Sequence, residues 1–426
     1  MGANHSTTGP APRRVRTILV CALAPLFAAA AVAALLMWPD RMQDDAQAPR
    51  EPRYHATVTR IVIEPCPPVP ETPDESADPG PCGTATIALH DGPDTDTTVD
   101  TEIPAGPGAP TLTVGDEVMV MSLTDAEDPN VTVYTIADQQ RGTPMLWLVA
   151  LFAAAIIAFG RWRGLAALAG LAATFAILLT FILPAILQGQ PPLAVAITGA
   201  ALIMFVVLYL THGLTSQTSV AVLGTLASLV LTGVLGTLAI GATHLTGYGS
   251  EDATTLSFVA GDVDLHGLLL AGIIIGSLGV LDDVTVTQAA TVTELVRANP
   301  ALTRLQLYRA ATRVGRAHIA STVNTIVLAY AGASLPLLLL VISANRDTLD
   351  ILTSEFMAQE IVRSAVGTLG LIAAVPITTG LAAIVTKTHH RPHRRLPAPR
   401  ADRDDVLAAL AQTTPTTTWD TDRPPT

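Results

Sequence analysis

Lysine is nearly missing from this chain: Lys387 is the only one, and the other 23 of its 24 basic residues are arginine. With abundant alanine, proline and glycine, that points to coding bias in a GC-rich bacterial genome rather than to a physical demand. Charge of either sign is scarce as well. Only 14% of residues are charged, against about 25% in a soluble domain. The deficit lies in several windows of about 20 residues with almost no charge, which excludes an ordinary soluble protein and marks bilayer spans. The chain also lacks a nucleotide-binding glycine loop, a nucleophile elbow and a zinc-protease helix. ATP hydrolysis by this chain alone is therefore not expected. No enzyme activity, catalytic residue, cofactor or metal is expected either.

What is present is hydrophobicity, half of all residues, and it falls into eight expected spans. These are 17–38, 145–160, 164–187, 193–210, 217–241, 266–284, 317–343 and 362–386. Arginines near the span ends set the orientation. Arg13, Arg14 and Arg16 precede the first span, and Arg161 and Arg163 separate the second from the third. Arg297, Arg304, Arg309, Arg313 and Arg316 lie between the sixth and seventh; Lys387, Arg391, Arg394 and Arg395 follow the eighth. All four groups fall on one side if both termini are cytoplasmic. The expected order is a cytoplasmic N-terminus (1–16), the first span and an extracytoplasmic module (39–143). A seven-span domain (145–386) with a cytoplasmic helical link (285–316) follows, then a disordered cytoplasmic tail (387–426). Ala31-Val32-Ala33 resembles a signal-peptide cleavage site, but the apolar run is long for one, so an uncleaved anchor is preferred.

Residues 39–143 hold 20 acidic and 5 basic side chains, a net −15 against +3 for the rest. Such a module does not favour nucleic acid or an anionic lipid surface. Segments 54–63 (YHATVTRIVI), 84–89 (TATIAL), 116–123 (DEVMVMSL) and 131–136 (VTVYTI) read as strands between glycine- and proline-rich turns. A small antiparallel barrel of about five strands, OB-like in size, is expected. Cys66 and Cys82 flank a proline-rich acidic insertion and should pair in an oxidising compartment, whereas Cys21 reads as an apolar residue of the first span.

The richest chemistry closes the sixth span. Gly272, Gly276, Gly279 and Asp283 share one helical face, extended by Thr287 and Gln288, with Asp282 about 100° away. Either Asp282 merely ends the span in the headgroups, paired with Arg313 or Arg316, or Asp283 is an ion or proton site that faces a cavity and binds a proton or cation. On the fifth span Gly224, Ser228, Thr232 and Gly236 recur every four residues and read as helix packing. The seventh begins with Arg316 and His318 and continues with Ser321, Thr322, Asn324 and Thr325, which read equally as inter-helix glue and as a substrate lining. His244, Glu251, Asp252, Asp262, Asp264 and His266 crowd the outer loop before the sixth span, in no recognised metal-binding spacing. Pro184, Pro336 and Pro376 should kink their spans.

Four stretches, 134–141 (YTIADQQR), 211–225 (THGLTSQTSVAVLGT), 272–290 (GIIIGSLGVLDDVTVTQAA) and 315–336 (GRAHIASTVNTIVLAYAGASLP), resemble the YibE/F family of bacterial membrane proteins. The likeness covers roughly residues 55–385. It implies a multi-span protein with an extracytoplasmic β-rich region and one sixth-span aspartate, which Asp283 matches better than Asp282. It implies no catalytic or binding roles, since the family has none assigned. The cysteine-flanked insertion and the tail depart from it.

The resulting expectation is a secondary transporter or permease-like protein of the bacterial plasma membrane. Asp283, Asp282, Thr287, Gln288, Arg316, His318, Asn324 and Thr325 would line its pathway. The alternative is a membrane scaffold or envelope assembly factor that binds a partner through the outer module. Expected partners are the lipid bilayer and an envelope protein or second membrane subunit.

Overall fold

The computed structural model describes residues 13–39, 52–64, 82–103, 111–124, 132–249, 251–261, 263–343 and 348–387. The chain is mainly helical and forms two compact units. Pro39–Ala172 is one; Met1–Trp38 with Ala173–Thr426 is the other. Cys66, Asp262 and the tail beyond Lys387 lie outside the described residues.

The first unit holds β1 (Arg53–Glu64), β2 (Cys82–Leu89), β3 (Thr98–Glu102), β4 (Glu117–Thr124) and β5 (Thr132–Gln139). They form one antiparallel sheet in the order β3-β2-β1-β4-β5. Alternation explains its core: Ala56 and Val58, Ala85 and Ile87, Val118 and Val120, and Tyr134 and Ile136 all point to one face. The pairing slips between Val58 and Arg60. That bulge at Thr59 turns Ile61 back toward the core. Gly92, at φ +97°, lies against the Tyr54 ring, where a Cβ would collide.

The expected OB-like barrel does not form. A barrel needs a backbone ladder between the two end strands, and none joins β3 to β5 among the described residues. A side-chain bond spans that gap, from the Thr101 hydroxyl to the Tyr134 carbonyl at 2.6 Å. β3 itself has no counterpart among the four segments read as strands. Its sequence, TVDTE, puts two carboxylates on a five-residue edge strand, which hides the pattern.

α1 (Arg13–Leu36) opens the second unit; α2 (Gly142–Gly160) and the start of α3 (Trp162–Ile177) still belong to the first, and these two helices meet at a sharp turn where Arg161 takes φ 52°. A π turn over Leu178–Ile182 then leads to α4 (Leu183–Leu187), at whose start Pro184 cannot donate a backbone hydrogen bond. α5 (Pro192–His212), α6 (Ser216–Thr243), α7 (Glu251–Val259) and α8 (Leu265–Ala298) follow. After the break at Asn299-Pro300 come α9 (Arg304–Ala333), α10 (Leu335–Ser343), α11 (Thr348–Leu352) and α12 (Glu355–Lys387). Thr303 and Gln306 form a capping box at the start of α9.

Among the described residues, seven helices are long and apolar enough to cross a membrane. The eighth expected span, 317–343, is not among them. Its apolar stretch is divided at Ser334 between α9, which starts among arginines, and the nine-residue α10.

Three helices, α6, α8 and α12, pack mutually at the centre of the second unit. α5 covers α8, and α1 lies on α5 and α6, with Phe27 edge-on to Phe205 at 5.2 Å and Trp38 stacked on Phe181 at 5.7 Å. α1 thus buries Val15, Leu19, Leu23, Ala30 and Ala34 as a member of the bundle. α9 lies against α12 and α8.

Candidate functional site

Small residues set the contact between α6 and α12. A Cβ on Gly224 would collide with the Thr378 side chain. Two turns further along α6 the roles reverse, and a Cβ on Gly370 would collide with Thr232. The two helices therefore run antiparallel, each threonine filling the notch left by the other helix's glycine. Gly236 lies under Leu270 of α8. Along α6 the hydroxyls are satisfied by their own helix: Ser228 donates to the Gly224 carbonyl at 2.8 Å and Thr232 to Ser228 at 2.9 Å.

Polar groups also join α8 to both neighbours. The Thr225 and Thr285 hydroxyls meet at 2.7 Å, and the Thr285 hydroxyl donates to the Asp282 carbonyl at 3.0 Å. The Gln288 amide oxygen accepts from Thr379 at 3.1 Å. All of these side chains are fully buried except that of Asp282. The arrangement is not closed. Gln288 Nε2 and Thr378 Oγ1 have no hydrogen-bond partner, and Gln288 Nε2 abuts Gly315 of α9.

The two aspartates differ sharply. Asp282 is half-buried; its Oδ1 is sealed from solvent and has no hydrogen-bond partner. Neither Arg313 nor Arg316 forms an ion pair with it; both are exposed. Asp283 has a side chain 73% exposed, with Oδ2 4.0 Å from Nε2 of His318. Thr287 is half-buried. Arg316, Asn324 and Thr325 are all exposed on α9, where Thr325 donates to the Ser321 carbonyl at 3.1 Å. The eight pathway residues therefore do not converge on one point. Asp283 is exposed beside a half-buried His318 whose Nε2 is sealed and without a hydrogen-bond partner, Gln288 joins the buried seam, and Asp282 lies between these two settings.

The stripe of Gly272, Gly276 and Gly279 is exposed, unlike that of α6. Gly272 and Gly279 have no atom of another residue within 4 Å of where a Cβ would stand, and Gly276 meets only the Tyr330 hydroxyl. Close packing on that face does not occur among the described residues. The opposite omission concerns α12. Gly370, Thr378 and Thr379 escaped the reading, although its run GTLGLIAAVPITTG carries small residues at helical spacing that could have drawn attention. Glu355, at the start of α12, was also missed. Its Oε1 accepts from the Thr246 hydroxyl and from the backbone N–H groups of Thr246 and Gly247.

In α9 the buried residues are Leu307, Ala311 and Gly315, all in its first half. Beyond Gly315 the helix borders a cavity of about 180 Å³ shared with α8 and α12. Among the described residues, no three His, Cys, Asp or Glu side chains group closely enough to hold a metal ion. Cys21 is a free, exposed thiol.

The family described as YibE/F-like protein matches residues 148–388. No curated protein and no solved structure matches the chain.

Proposed function

This chain belongs to the YibE/F-like family, and from that premise we propose that it acts as a secondary transporter or permease-like protein of the bacterial plasma membrane, with Asp282 as the group that takes a proton or a cation. The observation that carries the choice of residue is the sealed Oδ1 of Asp282, which has no donor beside it, on the 34-residue helix α8. An ionised carboxylate oxygen deprived of water and donors is costly. A proton or small cation relieves that cost, and its arrival and departure are how a membrane carboxylate couples to a gradient. Asp283 stands at the exposed edge, where it would receive the ion, with the half-buried His318 4.0 Å away. α9 is the element best able to move, since only its first half is buried. No covalent catalysis and no cofactor enter this reading.

The sidedness has support in one apolar cluster. Val15 and Leu19 of α1 share it with Ala289 and Val292 of α8, Leu307 of α9 and Ala382 of α12. The start of the first helix, the 285–316 link and the end of the last helix thus gather at one end of the bundle. The arginine bias assigns that end to the cytoplasm. Residues 39–143 then lie outside, where Cys66 and Cys82 would be oxidised. Glu64 is opposite Cys82 across the β1–β2 ladder, and Cys66 follows only two residues later.

Purified protein in liposomes loaded with a pH-sensitive dye, under an imposed sodium or potassium gradient, tests the proposal. The wild type should move protons, and Asp282→Asn should abolish that movement without loss of folding. Undiminished flux in Asp282→Asn would remove the residue from the mechanism. Absence of any flux in the wild type, across both gradients, would favour the scaffold reading. The exposed, unpacked face of Gly272 and Gly279 supports that second reading, as a seat for another membrane subunit.

A further inference from the structure

The cavity between α8, α9 and α12 has neither aspartate in its lining, which ends at Leu281 on α8, and it plays no part in the proposed transport step. Gly276, Ser277, Val280 and Leu281 line it from α8, Ile326, Ala329 and Tyr330 from α9, and Gly367 and Leu371 from α12. It exists because the residues at this level are small. Gly276, Ser277, Gly367 and Ala329 leave a gap that Leu281, Ile326 and Leu371 do not fill. Gly276 and Ala329 are exposed, so the gap opens sideways between α8 and α9, not only inward.

Depth, chemistry and size together limit the occupant. Gly276 lies eleven residues into α8, about 17 Å along the axis at 1.5 Å per residue. In a hydrocarbon core about 30 Å thick that is near the middle, too deep for a headgroup. The lining holds no ionisable carboxylate or amine. Of its two hydroxyls, that of Ser277 already donates to the Ile273 carbonyl at 2.7 Å, leaving the Tyr330 hydroxyl. A trapped water wants two to four polar partners and does not find them here. A helix, about 10 Å across, does not fit in about 180 Å³. An apolar cavity of roughly 150 Å³ is known to take a benzene-sized guest.

We propose that the alkyl chain of a membrane lipid enters between α8 and α9 at Gly276 and Ala329 and seats about six carbons in this cavity. The gap is then a lipid-chain site, filled from the surrounding bilayer, and α9 rests partly on lipid rather than on protein.

The test uses the full chain in phosphatidylcholine vesicles that carry a photoactivatable diazirine at the middle of one acyl chain. After illumination, adducts are mapped by peptide mass spectrometry. The expected result is labelling of Ile326 and Tyr330, which face the cavity, alongside Val327 and Leu328, which are exposed. Gly276→Leu fills the cavity from α8 and should cause loss of the Ile326 and Tyr330 adducts, while those on Val327 and Leu328 remain. Ala329→Leu, which fills it from α9, repeats the measurement should the first variant fail to fold. Wild-type labelling confined to Val327 and Leu328 overturns the proposal. So does labelling of Ile326 and Tyr330 that survives both fillings.

Discussion

The sheet and the helical bundle solve the same problem in opposite senses. The sheet buries an almost wholly apolar core, and its polar atoms find partners near the surface: Tyr134 donates its hydroxyl to Asp94 at 2.7 Å. The bundle shows Val230, Leu238 and Leu328 to its surroundings and keeps Thr225, Thr232, Thr285, Gln288 and Thr379 fully buried. The inversion follows from solvent. In water, apolar area is what must be hidden. In hydrocarbon every polar group must be satisfied internally, and association relies on close packing and inter-helix hydrogen bonds rather than on apolar burial. An unpartnered atom in the bundle, such as Asp282 Oδ1, therefore points toward function more strongly than an exposed leucine does.

The largest effect that could sharpen this contrast belongs to the sheet alone. With Cys66 and Cys82 paired, reduction should remove about 3 kcal/mol of stability, as expected for closing a loop of this size. The loss should appear in the unfolding transition of the sheet and leave that of the bundle unmoved. Mass mapping without reductant should find the two cysteines linked, and free alkylation of both would end the idea.

Next comes the glycine–threonine register of the bundle. Gly370→Val should cost about 1–3 kcal/mol by overpacking against Thr232, read as a lower melting temperature in detergent. Gly279→Val, on the exposed stripe, should leave that temperature where it was. Equal loss from both would mean that the exposed stripe is covered and that the asymmetry between α6 and α8 is wrong.

A smaller effect sits in the sheet core. Burial, and then the hydrogen bond to Asp94, push the Tyr134 phenol up to about 12 from its usual 10. The folded state thus favours the neutral phenol. The stability it gives is fully present below pH 10 and is lost as the pH rises through about 12. Tyr134→Phe should cost about 1 kcal/mol at neutral pH and flatten this alkaline decline. An unchanged decline in the variant would assign it to another group.

The smallest effect concerns an exposed pair. The Arg141 guanidinium, bonded to Asp138 at 2.7 Å, holds that carboxyl below its usual range, helped by the Gln139 backbone N–H. Arg141→Gln should let the Asp138 titration move up, followed by NMR, without a measurable change in stability.

Much of the architecture was legible. Apolar runs marked the helices because the bilayer tolerates little else, and alternation or β-branched residues between turn signals marked β1, β2, β4 and β5. β3 was not legible, since an acidic edge strand carries no such pattern. The site was legible only in part. Position 283 stood out through its company of glycines, yet that face is the exposed one, and the sealed oxygen belongs to its neighbour. Nothing in the run around Asp282 announces that, because which flank of a helix is covered depends on where other helices lie. The seam between Gln288 and Thr379 joins residues far apart in the chain, and only packing reveals it.

By itself, the amino-acid order determined that this is a membrane helical protein with an acidic β module, because hydropathy over a window and alternation over a strand are local quantities. The three-dimensional packing decided which aspartate is enclosed, which glycine stripe meets a neighbour and where a gap remains. Those outcomes depend on contacts among α6, α8, α9 and α12, and no single segment carries them.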